Sequence, residues 1–184
     1  MKRIFFCIVI FLFISNSPVL GMESIEFLSG YLKAPLKDKE DYEALPIYVS
    51  FNFDVKPLIE NFGVGFKGNL HLSVEPFITP TIAPDANIEL GVNFLAKYIF
   101  PLGGKIKPYI KGGLGFLYMS QHTREQSTQY NFLPQVGVGC SYFINEEKAL
   151  SFEYRYRHLS NASFKSPNSG IDSTIYLVGM VFFF

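Results

Sequence analysis

Tryptophan is absent from the 184 residues, cysteine occurs only twice and histidine only three times. Cys7 falls inside an N-terminal apolar run rather than at its end, which argues against a lipoprotein signal. Once that run is removed, Cys140 is the only thiol, and a lone thiol closes no internal disulfide. His71, His122 and His158 lie on different segments. With one cysteine they make a poor zinc ligand set, so neither a metal nor another cofactor is expected. Charge of one sign is not in surplus either: 16 basic residues face 16 acidic ones, and no basic footprint for nucleic acid exists. Beyond the N-terminus no stretch holds 18 consecutive apolar residues, so no spanning helix is expected there.

What is present begins with an export signal. Lys2 and Arg3 precede an apolar run from Phe5 to Ile14, Ser15-Asn16-Ser17-Pro18 breaks it, and Val19-Leu20-Gly21 precedes a cleavage site. Residues 1–21 are therefore expected to be removed. Residues 22–184 remain as one domain with 14 basic and 16 acidic residues.

That domain is rich in Phe and Tyr and alternates. Eight segments with a two-residue period run over about 24–32, 45–54, 68–78, 88–100, 106–119, 132–144, 149–160 and 173–184. Most have the length a tilted strand needs to cross a bilayer. In the fourth, Ile88, Leu90, Val92, Phe94, Ala96, Tyr98 and Phe100 oppose Glu89, Gly91, Asn93 and Lys97. In the second, Ile47, Val49, Phe51 and Phe53 oppose Tyr48, Ser50, Asn52 and Asp54. The first segment has no cleanly polar face. A soluble sandwich would alternate too. The signal segment and the last strand decide against it: Tyr176, Val178, Met180, Phe182 and the terminal Phe184 share one face, as in the final strand of outer-membrane barrels. The expected fold is all-β, an eight-stranded antiparallel transmembrane β-barrel of the outer membrane. Its inward set, Glu75, Glu89, Lys97, Lys107, Lys111, Glu153, Arg155 and Arg157, carries both signs and suits a packed ionic interior rather than a pore. Val55 to Lys67 is long for a periplasmic turn and has room for a short amphipathic segment.

The seventh segment carries the chemistry. Ser151, Glu153, Arg155 and Arg157 share one face, and Phe152, Tyr154, Tyr156, His158 and Ser160 share the other. If the charges point inward, His158 and Ser160 emerge outward at the outer rim. Asp172 has the outward parity of Phe184 on the next strand and so reaches the same surface. Serine, histidine and a carboxylate are the parts of an activated nucleophile. On a strand, i and i+2 β-carbons stand about 6.5–7 Å apart, close enough for side chains that lean together.

The segment Tyr154-Arg155-Tyr156-Arg157-His158-Leu159-Ser160-Asn161-Ala162, with Lys165, Pro167-Asn168 and Gly170, resembles the signature of the lipid A 3-O-deacylase (PagL-type) family. The resemblance implies Ser160 as nucleophile, His158 as general base and Asp172 at the third position, where other members can carry Glu. It implies Asn168 as an oxyanion donor together with backbone amides near Ala162 and Ser163. Asn161 belongs to the motif without an assigned role, and support of a turn is its simplest one.

The resemblance further implies hydrolysis of the 3-O-linked acyl ester of lipid A in lipopolysaccharide. It implies residence in the outer membrane of a Gram-negative cell, with the site at the outer leaflet, and allows a homodimer. Lys37, Lys39, Arg124 and Lys165 in the outer loops are placed to meet lipid A phosphates, although solvated loop charge is the simpler reading. Two other readings share the barrel: a non-enzymatic structural or adhesive protein, and another outer-membrane acyl hydrolase or acyltransferase.

Overall fold

The computed structural model describes residues 21–36, 41–120, 125 and 127–184. The expected signal segment, up to residue 20, and Lys37, Lys39 and Arg124 lie outside the described residues. The elements are β1 (Met22–Ala34), β2 (Tyr42–Ala44), β3 (Ile47–Asp54), α1 (Lys56–Glu60), β4 (Asn69–Ala83), β5 (Asn87–Ile99), β6 (Ile106–Met119), β7 (Tyr130–Phe143), β8 (Lys148–Leu159) and β9 (Ile171–Phe183).

All neighbouring strands pair antiparallel, and β1 pairs with β9 from Ser24↔Phe183 to Lys33↔Thr174, which closes the sheet. Nine strand segments make eight staves, because β2 and β3 both lie between β1 and β4. Pro46 interrupts that stave, since it has no N–H to donate. The ladder carries on across it: Gly30 N–H donates to Pro46 O at 3.3 Å and Leu45 N–H to Pro80 O at 2.9 Å. No helix among the described residues is long and apolar enough to cross a membrane. The closed sheet satisfies its own backbone, as a hydrocarbon environment demands.

Strand parity follows the expected alternation. Phe94, Phe116, Val136, Val138, Phe152, Tyr154, Tyr176 and Val178 face outward and stay exposed. Inside, the carboxylates of Glu75 and Glu89 hold two arginines. Glu75 accepts from Arg155 Nη1 at 2.6 Å and Lys111 Nζ at 2.8 Å. Glu89 accepts from both terminal nitrogens of Arg157, at 2.7 and 3.1 Å, and from Tyr42 Oη at 2.7 Å. Lys97 pairs with Glu26 at 3.1 Å. Lys107 keeps the expected inward parity but lies at the end of the barrel rather than in the ionic layer. It sits half-buried at the periplasmic end, where its ammonium donates to Leu102 O in the β5–β6 turn.

Glu26 explains why the first segment shows no clean face. The inner side of β1 is polar at Ser24 and Glu26 and apolar at Leu28, Leu32 and Ala34, all buried. It runs from the ionic layer into an apolar plug that Met119, Leu133, Leu159 and Ile171 complete at the outer end. The connection after β3 holds the short helix α1, none of whose residues is buried.

The ionic layer is a strongly coupled stabilising element. Glu75→Ala would take the nearest carboxylate from Lys111 and one of the two that hold Arg155, leaving Glu153 to serve both, and it is expected to cost about 3 kcal/mol. The check is the urea midpoint of the barrel refolded into lipid vesicles.

Candidate active site

The β8–β9 register places His158 directly opposite Asp172. Both face outward, and His158 Nδ1 lies 2.6 Å from Asp172 Oδ1. An aspartate is long enough here because the two residues are direct cross-strand neighbours, with β-carbons only about 5 Å apart. The contact makes Nδ1 the protonated nitrogen and leaves Nε2 as the basic one.

Ser160 lies two residues beyond His158 on the same face. Its backbone forms an isolated bridge with Phe132, donating to Phe132 O at 3.1 Å and accepting from Phe132 N–H at 2.8 Å. No hydrogen bond joins the Ser160 hydroxyl to His158 among the described residues. The residues between and after the pair fix its direction. Leu159 and Asn161 are each 1 % exposed and point inward. Burying these two side chains obliges His158 and Ser160 to face out.

The loop after Ser160 turns immediately. Phe164 N–H donates to Asn161 O at 3.1 Å, and the two central residues, Ala162 and Ser163, have φ of 52° and 63°. Two successive positive φ values describe a type I′ turn, which usually takes Gly or Asn. Alanine and serine hold this conformation under strain, and such strain concentrates at functional sites. The turn follows Ser160 directly and includes the backbone amides of Ala162 and Ser163. Asn168 folds back over it: its Oδ1 accepts from Asn161 N–H at 2.9 Å, and its Nδ2 lies 3.5 Å from Ser163 Oγ.

Asn161 binds the loop together. Its side-chain amide donates to Lys165 O at 2.8 Å and to Ser127 Oγ at 3.2 Å. Two backbone bonds, Ser127 N–H to Pro167 O and Ser169 N–H to Glu125 O, tie the same loop to the β6–β7 connection. Turn support, the simplest role for Asn161, agrees with this geometry. Lys165 is exposed on the loop.

Two further residues shape the site. Tyr156, two residues before His158 on the same face, lies on the cross-strand diagonal from Asp172, near enough for the two side chains to interact. Parity placed Tyr156 on that face, but only the strand register shows that it reaches across to Asp172. Gly170 has φ of +77°, and a β-carbon on it would lie 2.4 Å from His158 Cε1. The imidazole packs over the bare glycine backbone, so the motif glycine has a steric reason.

A family model described as lipid A 3-O-deacylase (PagL) matches residues 47–181. Among solved structures, the chain is similar to the crystal structure of the outer membrane enzyme PagL, with 20% identity and a TM-score of 0.63 over 85% of this chain and 97% of that one. It is also similar to the crystal structure of Neisserial surface protein A (NspA), with 16% identity and a TM-score of 0.65 over 90% and 99%. At these identities the two structures speak to the barrel fold alone. No curated protein sequence matches the chain.

Gly170→Ala is expected to push the imidazole off its seat while leaving the strands in place. A displacement of about 1 Å at a reacting group costs on the order of 100-fold in rate. Ester hydrolysis by the variant, measured beside its heat-modifiable migration in SDS gels, separates the lost geometry from lost folding.

Proposed function

The chain belongs to the lipid A 3-O-deacylase (PagL) family of outer-membrane enzymes, and we propose that it hydrolyses the 3-O-linked acyl ester of lipid A as a serine esterase. The observation that carries this reading is the 2.6 Å contact of His158 with Asp172 on the lipid-facing side of the barrel, with Ser160 on the same face. A polar constellation there has no structural duty to the core. A water-soluble substrate would find the position awkward, whereas an acyl ester in the outer leaflet lies beside it.

In this mechanism His158 Nε2 takes the Ser160 proton as Oγ attacks the ester carbonyl. Asp172 holds Nδ1–H and stabilises the imidazolium that forms. The tetrahedral anion is met by the amides of Ala162 and Ser163 and by the Asn168 side chain. Collapse breaks the bond to the sugar 3-oxygen, and His158 returns the proton to that leaving oxygen. Water, deprotonated by the same imidazole, then attacks the acyl-serine and releases a free fatty acid.

Purified wild type and Ser160→Ala, each incubated with lipopolysaccharide in detergent, test the reading through the mass of lipid A and of the released acid. Wild type should lose only the 3-linked chain, and Ser160→Ala should lose none; equal loss from both, or loss from another position, refutes it. Asn168→Ala is expected to lower kcat by about 100- to 1000-fold with the same product.

A further inference from the structure

The loop that carries Asn168 does not stand alone. Both sequence neighbours of Asn168 are tied by backbone bonds to the connection between β6 and β7. Ser127 N–H donates to Pro167 O at 3.0 Å, and Ser169 N–H donates to Glu125 O at 2.9 Å. The two bonds bracket Asn168 in the pattern of a single antiparallel bridge. The backbone at Asn168 is therefore held by a second connection as well as by its own loop.

That second connection runs on into β7, where Phe132 meets the backbone of Ser160 through two bonds, at 2.8 and 3.1 Å. The stretch between is braced from within. Thr128 Oγ1 donates to Tyr130 O at 3.0 Å, and Asn131 Nδ2, on a buried side chain, donates to Thr128 O at 3.0 Å. Residues 127–132 thus form a stiff rail, with Ser160 bonded at one end and the flank of Asn168 at the other. Along their own loop the same two residues are joined through the strained turn at Ala162 and Ser163.

Ser127 also reaches into the loop with its side chain. Its Oγ accepts from Asn161 Nδ2 at 3.2 Å. Asn161 is the residue after Ser160, and its N–H donates to Asn168 Oδ1 at 2.9 Å. Engaging Oδ1 in this way fixes the sense of the Asn168 amide and reserves Nδ2 for donation. An oxyanion donor works only when it stands at a set distance from the nucleophile. We propose that the β6–β7 connection sets the spacing between Ser160 and Asn168, and that Ser127 is a positioning residue for the hydrolysis. The inference rests on Ser160 as nucleophile and Asn168 as oxyanion donor. Ser127 touches no reacting atom; it acts through Asn161 and Asn168.

Ser127→Ala removes the hydroxyl and keeps both backbone bonds. Its kcat for release of fatty acid from lipopolysaccharide is expected to fall about tenfold with KM unchanged, less than the roughly 100-fold of a 1 Å misplacement. Ser127→Thr keeps the hydroxyl and is expected to restore kcat. A double-mutant cycle tests the route. In an Asn168→Ala background, Ser127→Ala should cost less than about twofold further, because the group it positions is gone. Equal losses in both backgrounds, a raised KM in place of a lowered kcat, or no recovery in Ser127→Thr overturns the proposal. Hydrogen exchange needs no turnover. Amides of peptides covering residues 161–169 should exchange faster in Ser127→Ala than in wild type or Ser127→Thr, with the barrel strands unchanged, and unchanged exchange there overturns it. Faster exchange in a protein whose wild type releases no fatty acid leaves the tie between the loops standing and refutes the esterase reading instead.

Discussion

Closure of β1 onto β9 is the constraint from which the rest of the molecule follows. Hydrocarbon offers no partner for a peptide group, so every strand must pair on both sides, and the sheet has no free edge. A closed sheet with a fixed register also fixes the direction of each side chain. With Arg155 and Arg157 bonded to Glu75 and Glu89 inside, Tyr156 and His158 have no choice but to face lipid. The site is thus a consequence of the interior. Slipping β8 by one residue would bury the imidazole and expose two arginines to the membrane, which the barrel would not tolerate.

The interior is graded along the barrel. Its ionic layer lies at mid-height, and the apolar plug lies above it at the outer end. This order has a use. Leu159 and Ile171, the inward neighbours of His158 and Asp172, are both in the plug and almost fully buried. The strand ends carrying His158 and Asp172 are thereby anchored from behind at the outer end of the barrel. Asn161 continues the same inward line and joins the last loop to Ser127. Site residues placed on strand ends and pinned from behind are held more closely than residues on a free loop.

Much of this was legible in the sequence because a two-residue period leaves little ambiguity. The eight staves, the ionic interior, and the shared face of His158, Ser160 and Asp172 all come from counting alternate positions. What was not legible came from contacts between strands or from backbone conformation. The first segment resisted because Glu26 and Leu28 share its inner face, one in the ionic layer and one in the plug. Lys107 has inward parity yet stops at the periplasmic rim, since parity says nothing of depth. Tyr156 reaches Asp172 through a diagonal that only the register defines. Gly170 stood in the motif with no role until its distance to the imidazole supplied one.

Strain and apolar relief meet at Ser160. The turn through Ala162 and Ser163 uses a conformation that glycine would hold more cheaply, by roughly 1 kcal/mol or more per residue. A glycine there would relax the turn and widen the range of conformations open to it. The same turn carries Phe164 out over the ring of Phe132. One short segment therefore joins strained backbone directly after Ser160 to an aromatic contact on the lipid-facing surface. The backbone bridge of Ser160 to Phe132 and the contact of Phe164 with the same ring hold that segment against β7, so a change at Phe132 reaches both ends of the turn.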